Sequence, residues 1–361
     1  MEKILVINPG STSTKIALFD GEREAWKKSI DHDRSELGKY PTVYDQIDMR
    51  YQLVMEELKT HDVDPSELSA IAARGGPIAP MEGGAYEVND EMVDVIFHRP
   101  QDLHVSIIAA VIGLKIARKI GKKAYIYDAV SVDEMDHVLK ITGLPEMYRR
   151  GQGHNLNMRA AALKYCDTVG KDYHKTTLIV SHLGGGISVS LHKNGRIIDI
   201  INDEDGCFAP ERAGCVPQTQ LVNLCYGGKF SNKEMLRHLK GDAGLVAWLG
   251  TNDTRDVEKM ISEGNEKARI VYEAMALNVA RNIGKEAPVC HGKVDQIILT
   301  GGIAYSEMFT RMIIDDVSWI SPVSIIPGEN EMEALAFGVL RVLRGQERAK
   351  EFHEQPEWKL H

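Results

Sequence analysis

Basic charge is what this chain most clearly lacks. Its 43 Lys and Arg residues are outnumbered by 52 Asp and Glu, for a formal net charge of −9. A general nucleic-acid binder needs basic surface, so that class is set aside, and an anionic ligand would need a local cluster of Arg and Lys. Cysteine is also scarce. Cys166, Cys207, Cys215, Cys225 and Cys290 are odd in number and form no CxxC pair. This argues against a zinc site and reads as reduced thiols in a reducing compartment. No apolar run approaches the roughly 20 residues that span a bilayer, so no membrane partner is expected. Met1 leads straight into a strand-like run, so no signal peptide is expected and a cytoplasmic location is. No Ser/Gly/Pro run marks a flexible linker. Gly227-Gly228-Lys229 lacks the spacing of a P-loop and is discounted as a phosphate site.

What is present suits a two-domain globular protein: 361 residues, 43% hydrophobic and 26% charged. The organising stretch is the first one. Residues 4–7 form a continuous apolar run, as a strand buried on both faces shows. Asn8-Pro9-Gly10 breaks it, and Ser11, Thr12, Ser13, Thr14 and Lys15 crowd the turn into a returning strand. Such a turn is either an ordinary polar hairpin or a cradle for phosphate oxygens. The same device recurs at mid-chain. An apolar run over 177–181 leads into His182-Leu183-Gly184-Gly185-Gly186 and a second strand over 187–191.

Between these stretches the chain alternates. A weak third strand is expected over 22–29 and an amphipathic helix over 43–60. The strand 70–73 ends at Arg74-Gly75-Gly76-Pro77, where active-site loops leave α/β sheets, although a surface arginine would read the same way. A buried helix is expected over 103–120. A strand over 124–127 ends at Asp128, a candidate metal ligand or base. Residues 144–154 read as the connection between halves. Strands follow at 177–182, 187–192 and 196–201, the last two joined by Asn194-Gly195, a strong hairpin signal. Helices are expected near 231–240, 255–263 and 265–286. A strand over 296–299 runs into Thr300-Gly301-Gly302. A short helix, a strand at 322–326 and a helix from about Glu331 to Leu343 follow. Strand–turn–strand units opening both halves imply a duplicated α/β domain, with loops 8–15, 184–186 and 301–302 converging on one nucleotide.

Nine short motifs in this order carry a resemblance: Asn8-Pro9-Gly10-Ser11-Thr12-Ser13-Thr14-Lys15, Ala73-Arg74-Gly75-Gly76, Tyr127-Asp128-Ala129, Gly153-His154-Asn155, Ser181-His182-Leu183-Gly184-Gly185-Gly186, Glu211-Arg212-Ala213-Gly214, Asp253-Thr254-Arg255-Asp256, Leu299-Thr300-Gly301-Gly302 and Pro327-Gly328-Glu329-Asn330-Glu331. Over essentially its whole length the chain resembles the acetate/butyrate kinase family, within the actin–hexokinase–Hsp70 ATPases. The resemblance implies an α/β, duplicated two-domain actin/hexokinase/Hsp70-like (ribonuclease H-like) fold with a central nucleotide cleft. Its domains would be 1–150, joined by a C-terminal helix 331–361, and 151–330. It implies reversible phosphoryl transfer between ATP and a short-chain carboxylate, giving acyl phosphate and ADP, with Mg²⁺ as cofactor. By the same carry-over, Arg74 and Arg212 would hold the carboxylate and the transferring phosphoryl group. His154 would donate to the transition state, His182 would border the phosphate path, and Asp128 would orient substrate or a magnesium water. Asn8 and Glu331 match the metal-side residues. Ser11, Ser13 and Lys15 would form one phosphate loop and Gly184, Gly185 and Gly186 the other. Asp253, Thr254, Arg255, Gly301, Gly302 and Ile303 would receive the nucleotide. Without the resemblance, His154 and His182 read as structural or surface histidines. A homo-oligomer, dimer or larger, is expected.

The chain departs from acetate kinases in two motifs. They typically carry Phe-His-Gly where this chain has Gly153-His154-Asn155, and His-Arg-Val-Val-His-Gly where it has Ala73-Arg74-Gly75-Gly76-Pro77. These differences point to the butyrate-type branch, with butyrate or a branched acid such as isobutyrate as substrate. The small residues after Arg74 are expected to leave room for a longer acyl chain. A sugar kinase or an actin-like ATPase of the same fold is the alternative.

Overall fold

The computed structural model describes residues 2–360. Twelve strands form two sheets: β1 (Lys3–Pro9), β2 (Ser13–Asp20), β3 (Arg23–Asp31), β4 (Ala70–Arg74), β5 (Ala85–Glu87), β6 (Lys123–Tyr127), β7 (Leu178–Leu183), β8 (Ile187–Lys193), β9 (Arg196–Ile201), β10 (Gln296–Gly301), β11 (Val323–Pro327) and β12 (Lys350–Glu351). The chain divides into two compact units. One holds Met1–His137, Ile141–Leu156 and Asn330–His361, and the other Val138–Lys140 and Asn157–Glu329.

The first unit's sheet has the order β12-β5-β6-β4-β1-β2-β3. β1, β2 and β3 are an antiparallel meander, and β4 and β6 extend it parallel to β1. The continuous apolar runs of β1 and β4 follow from burial on both faces, by the helices Ile108–Ile120 and Glu331–Leu343. Two glycines set how closely those helices approach. A Cβ at Gly113 would lie 3.3 Å from Ala73 and Ile71, and one at Gly338 would lie 2.4 Å from the Tyr127 ring. β3 is largely exposed and polar, as an edge strand should be.

The second unit's sheet has the order β11-β10-β7-β8-β9. Again a three-strand antiparallel meander is extended by two parallel strands, here β10 and β11. Asn194 and Gly195 take φ of 54° and 74°, the doubly left-handed turn that suits a two-residue hairpin. The helices Glu266–Glu286 and Glu307–Val317 pack together over a second apolar core.

Two expected boundaries shift. The helix expected from residue 103 starts later, because His104 caps a 3₁₀ turn, Val105–Ile107, that leads into it. The C-terminal helix does not run to residue 361. It stops at Leu343, Gly345 turns left-handed at φ 69°, and the tail returns as β12 beside β5. The helices Asp90–His98, Gln218–Tyr226 and Gly244–Leu249 were not expected. Gln218–Tyr226 buries none of its residues, so it has no apolar face for periodicity to reveal.

Candidate active site

In the first unit β1, β4 and β6 run parallel, so their carboxyl ends lie on one side of the sheet. That is where open α/β sheets bind ligands. β1 ends beside Asn8, β4 at Arg74, and β6 just before Asp128. The helix Glu331–Leu343 presents its first residue to them. Asn8 Nδ2 donates to Glu331 Oε2 at 2.8 Å, and Arg74 Nε lies 3.9 Å from Glu331 Oε1. Arg74 is 7% exposed. Its NH1 donates to the carbonyls of Gly75 (3.0 Å) and Asp128 (3.4 Å), which fix the guanidinium, while NH2 has no protein partner among the described residues. Burial alone would raise the Glu331 pKa, but Arg74, the Asn8 amide, Lys15 and His154 outweigh it and hold the carboxyl below its usual range. Asn8, Lys15, Arg74, His154 and Glu331 therefore share one electrostatic neighbourhood. Asp128 is 1% exposed with φ 41°, and its Oδ1 accepts the Gly84 N–H at 2.8 Å. Ser11 is exposed and Ser13 half-buried on a turn closed by the Gly10 N–H to Ser13 carbonyl bond at 2.8 Å.

The glycines after Arg74 do not open the expected space. A Cβ on Gly75 would lie 2.5 Å from the Ala129 Cβ, and one on Gly76 would lie 2.5 Å from Ile107 Cγ2 and 2.7 Å from the Ile107 nitrogen. The missing side-chain volume is taken up by the 105–107 turn and by Ala129, which pack directly on the backbone.

In the second unit β7 delivers His182, 1% exposed, and then Gly184–Gly186 turn through a Gly184 N–H to Gly186 carbonyl bond of 3.1 Å. His182 Nε2 lies 3.9 Å from Glu329 Oε1. A Cβ on Gly184 would come 3.0 Å from His182 Nε2, and one on Gly185 would come 3.3 Å from Glu211 Oε2, so both side chains border the turn closely. Gly301, at φ 91°, packs on the backbone of Leu183, where a Cβ would meet the carbonyl oxygen at 2.4 Å. Arg212 Nε lies 3.3 Å from Asp203 Oδ2, and NH1 lies 3.8 Å from Glu211 Oε2. A cleft of about 680 Å³ is walled by Gly185, Glu211, Asp253, Thr254, Arg255 and Gly302. Asp253 caps the helix Thr254–Ser262 and pairs with Arg255, whose side chain, with its backbone N–H, draws the carboxyl down to about 2. Ile303 belongs to the hydrophobic core and is not a wall residue.

Sequence reasoning missed several neighbours. Glu211 and Glu329 lie inside motifs of which only other residues had been singled out, and Asn252, which donates to Glu211 Oε1 at 2.7 Å, directly precedes another. His104 gave no usable signal. Its Nδ1 accepts the Ser106 N–H at 3.2 Å as a helix cap, a role usually taken by Ser, Thr, Asn or Asp. Burial, and then the charge of Arg74 close by, hold its pKa below the ordinary imidazole value. Among the described residues no group of three or more His, Cys, Asp or Glu could hold a metal ion, and no helix is long and apolar enough to cross a membrane.

Two meander-plus-parallel sheets in one chain, with glycine turns at their strand ends, define the α/β fold of the actin–hexokinase–Hsp70 ATPases. Within that class, residues 118–320, more than half of the chain, match the model of the acetokinase family, and the chain belongs to that family. Acetate kinase from Porphyromonas gingivalis is similar at 19% identity and TM-score 0.79, over 95% of this chain and all of that one. A propionate kinase from Francisella tularensis is similar at 17% identity and TM-score 0.76, over 94% and 99%. ROK hexokinase from Thermus thermophilus shares the fold more loosely, at 13% identity and TM-score 0.50, over 93% and 98%.

Proposed function

We propose that the protein is a butyrate kinase-like enzyme, moving the γ-phosphoryl group of ATP reversibly to butyrate or a branched acid such as isobutyrate. The observation that carries this reading is Arg74, a fixed guanidinium at a parallel strand end with one nitrogen left for a ligand. A carboxylate is already an anionic nucleophile at neutral pH, so the chemistry asks for in-line placement and charge neutralisation more than for a base. A carboxylate oxygen attacks the γ-phosphorus, the bond to the β–γ bridging oxygen breaks, and ADP leaves with that electron pair. Arg74 and Arg212 would hold the two anionic partners, because the planar fork donates two bonds at once and stays charged. His154 and His182 would donate to the transferring group. The Ser11–Lys15 turn and Gly184–Gly186 would take the phosphates, and the cleft at Asp253–Arg255 the nucleoside. Asp128, with its carboxylate on the Gly84 N–H, serves this reading by fixing Arg74 through its carbonyl.

Magnesium fits the donor set present. It binds hard oxygens, commonly one or two carboxylates with waters and phosphate completing the shell. Glu331 stays ionised despite its burial, and the Asn8 amide nitrogen is turned to it, leaving the amide oxygen for a ligand. These two residues would hold the ion, which neutralises phosphate charge when bound.

The preference for a four-carbon acid rests on the sequence departures at 73–77 and 153–155, since Gly75 and Gly76 are packed over. Rates for acetate through hexanoate and the branched isomers, at saturating Mg·ATP, test it. Two added methylenes at about 0.8 kcal/mol each should favour butyrate over acetate by roughly tenfold in kcat/KM. An acetate optimum would reject the butyrate-type reading and leave the carboxylate kinase intact. The proposal extends to a cytoplasmic homo-oligomer; a 40.2 kDa mass by light scattering would reject self-association.

A further inference from the structure

Arg50, in the helix Ile47–Thr60, is 0% exposed and heads the large side chains that are fully buried. A guanidinium taken out of water is normally compensated by a carboxylate. Among the described residues none pairs with it. All its hydrogen bonds go to neutral acceptors. NH1 donates to the Ser13 carbonyl and to Thr14 Oγ1, both at 2.8 Å. NH2 donates to the Gly10 carbonyl at 3.1 Å and to Gln46 Oε1 at 3.0 Å, and Nε donates to Gln46 Oε1 at 3.1 Å.

Three of these bonds go to the turn after β1 and the first two residues of β2. Thr14 Oγ1 also lies 2.8 Å from His32 Nε2. The Thr14 hydroxyl thus links the guanidinium to the His32 imidazole, and no carboxylate is bonded within this network among the described residues. Burial, then the Arg50 charge, outweigh Glu36 and Asp31 and lower the His32 pKa. Burial also draws the Arg50 pKa down to about 10, which leaves it charged at neutral pH. Among the described residues every peptide bond is trans, so C=O and N–H of each unit point opposite ways. Because the Gly10 carbonyl is drawn inward to Arg50, the Ser11 N–H of the same peptide faces away from it.

We propose that Arg50 is a positioning residue for anion binding: by holding the Gly10 and Ser13 carbonyls and the Thr14 hydroxyl inward it clamps the turn so that the Ser11 N–H and the exposed residues Ser11 and Thr12 face outward, and its charge, paired with no carboxylate, gives that turn a standing attraction for a polyphosphate. The proposal rests on the kinase reading only in taking the polyphosphate to be that of ATP. A backbone turn offers donors but no net charge, and exposed cations are screened by salt within about 8–10 Å, whereas a buried one is screened far less. This gives a use to a buried charge that no carboxylate pairs with.

The test is binding of inorganic tripolyphosphate, ATP and adenosine by calorimetry to the full-length protein and to Arg50→Met, which keeps volume and removes the charge. Charge-assisted interactions predict a loss of about tenfold or more for tripolyphosphate and ATP. Adenosine should change by less than about twofold on the same basis, since it carries no phosphate. A purely structural residue would weaken all three ligands together, and that result, or unchanged tripolyphosphate binding, would overturn the proposal. If Arg50→Met does not fold, Arg50→Lys decides. It keeps the charge and loses the fork, so tripolyphosphate should still weaken relative to adenosine, and an unchanged ratio would reject the clamp. If wild type binds tripolyphosphate through Arg50 but phosphorylates no acid, the kinase reading fails and the Arg50 role stands. If wild type turns over while Arg50→Met binds as wild type does, the reverse holds.

Discussion

Replacing Arg74 should separate catalysis from folding. Arg74→Ala removes a guanidinium whose NH1 is committed to two carbonyls and whose NH2 is available to a ligand. Loss of one preorganised transition-state donor costs on the order of 10²–10³ in kcat, about 2.7–4 kcal/mol. The structural cost should be much smaller. The Gly75 carbonyl keeps its bond from the Val130 N–H at 3.3 Å, so the local framework persists. A loss of about 1–2 kcal/mol, a few degrees in Tm, is expected. Arg74→Lys should rescue less than about tenfold, because one ammonium cannot match the fork. The Gly75 and Asp128 carbonyls that hold NH1 would compete for that ammonium. The assay is acyl hydroxamate formation from butyrate and Mg·ATP, with nucleotide affinity measured alongside. Near-wild-type turnover in Arg74→Ala, or full recovery in Arg74→Lys, would refute the role and with it the observation on which the proposed function rests.

Two further expectations concern stability. His192 is 0% exposed, with Nδ1 2.9 Å from the Tyr173 hydroxyl and Nε2 2.8 Å from Ser190 Oγ, and burial, then Arg159, hold its pKa well below the ordinary value. The unfolded chain alone takes up that proton, so stability is full above about pH 6.5 and falls by about 1.4 kcal/mol per pH unit below it. Urea midpoints at pH 7.5 and 5.5 should show this loss reduced in His192→Gln, and an unchanged pH dependence would count against it. Gly338→Ala should cost about 1–3 kcal/mol by overpacking, because its Cβ meets a Tyr127 ring whose hydroxyl is held by Arg341 and Glu347. Gly113→Ala, with 3.3 Å to its nearest neighbours, should cost less, and equal Tm losses would contradict the packing argument.

The sheets were legible because their chemistry is local. Burial of β1 on both faces demands the unbroken run over 4–7, and Asn194-Gly195 can hardly be anything but a hairpin turn. The strand-end residues Arg74 and His182 were legible as positions, since both follow apolar runs and precede glycines. What stayed hidden is whatever depends on contacts distant in sequence. Gly75 and Gly76 look like open space in the sequence, yet they are occupied by Ala129 and by Ile107 from another part of the chain. Arg50 carries no mark in the sequence that sets it apart from the other charged residues of its helix, yet it lies on the buried face with Tyr51, Val54 and Leu58. The tail after Leu343 could not be read as a strand, because two residues pairing with β5 leave no periodicity.

The central claim is that this chain phosphorylates a carboxylate, and trapping the product tests it most directly. Acyl phosphates react with hydroxylamine to give coloured iron hydroxamates, whereas sugar phosphates do not. Purified protein incubated with Mg·ATP, hydroxylamine and butyrate should accumulate butyryl hydroxamate in step with ADP, and none without ATP or without the acid. No hydroxamate from any acid between acetate and hexanoate, straight or branched, would contradict the account and return the chain to the sugar-kinase reading of the same fold.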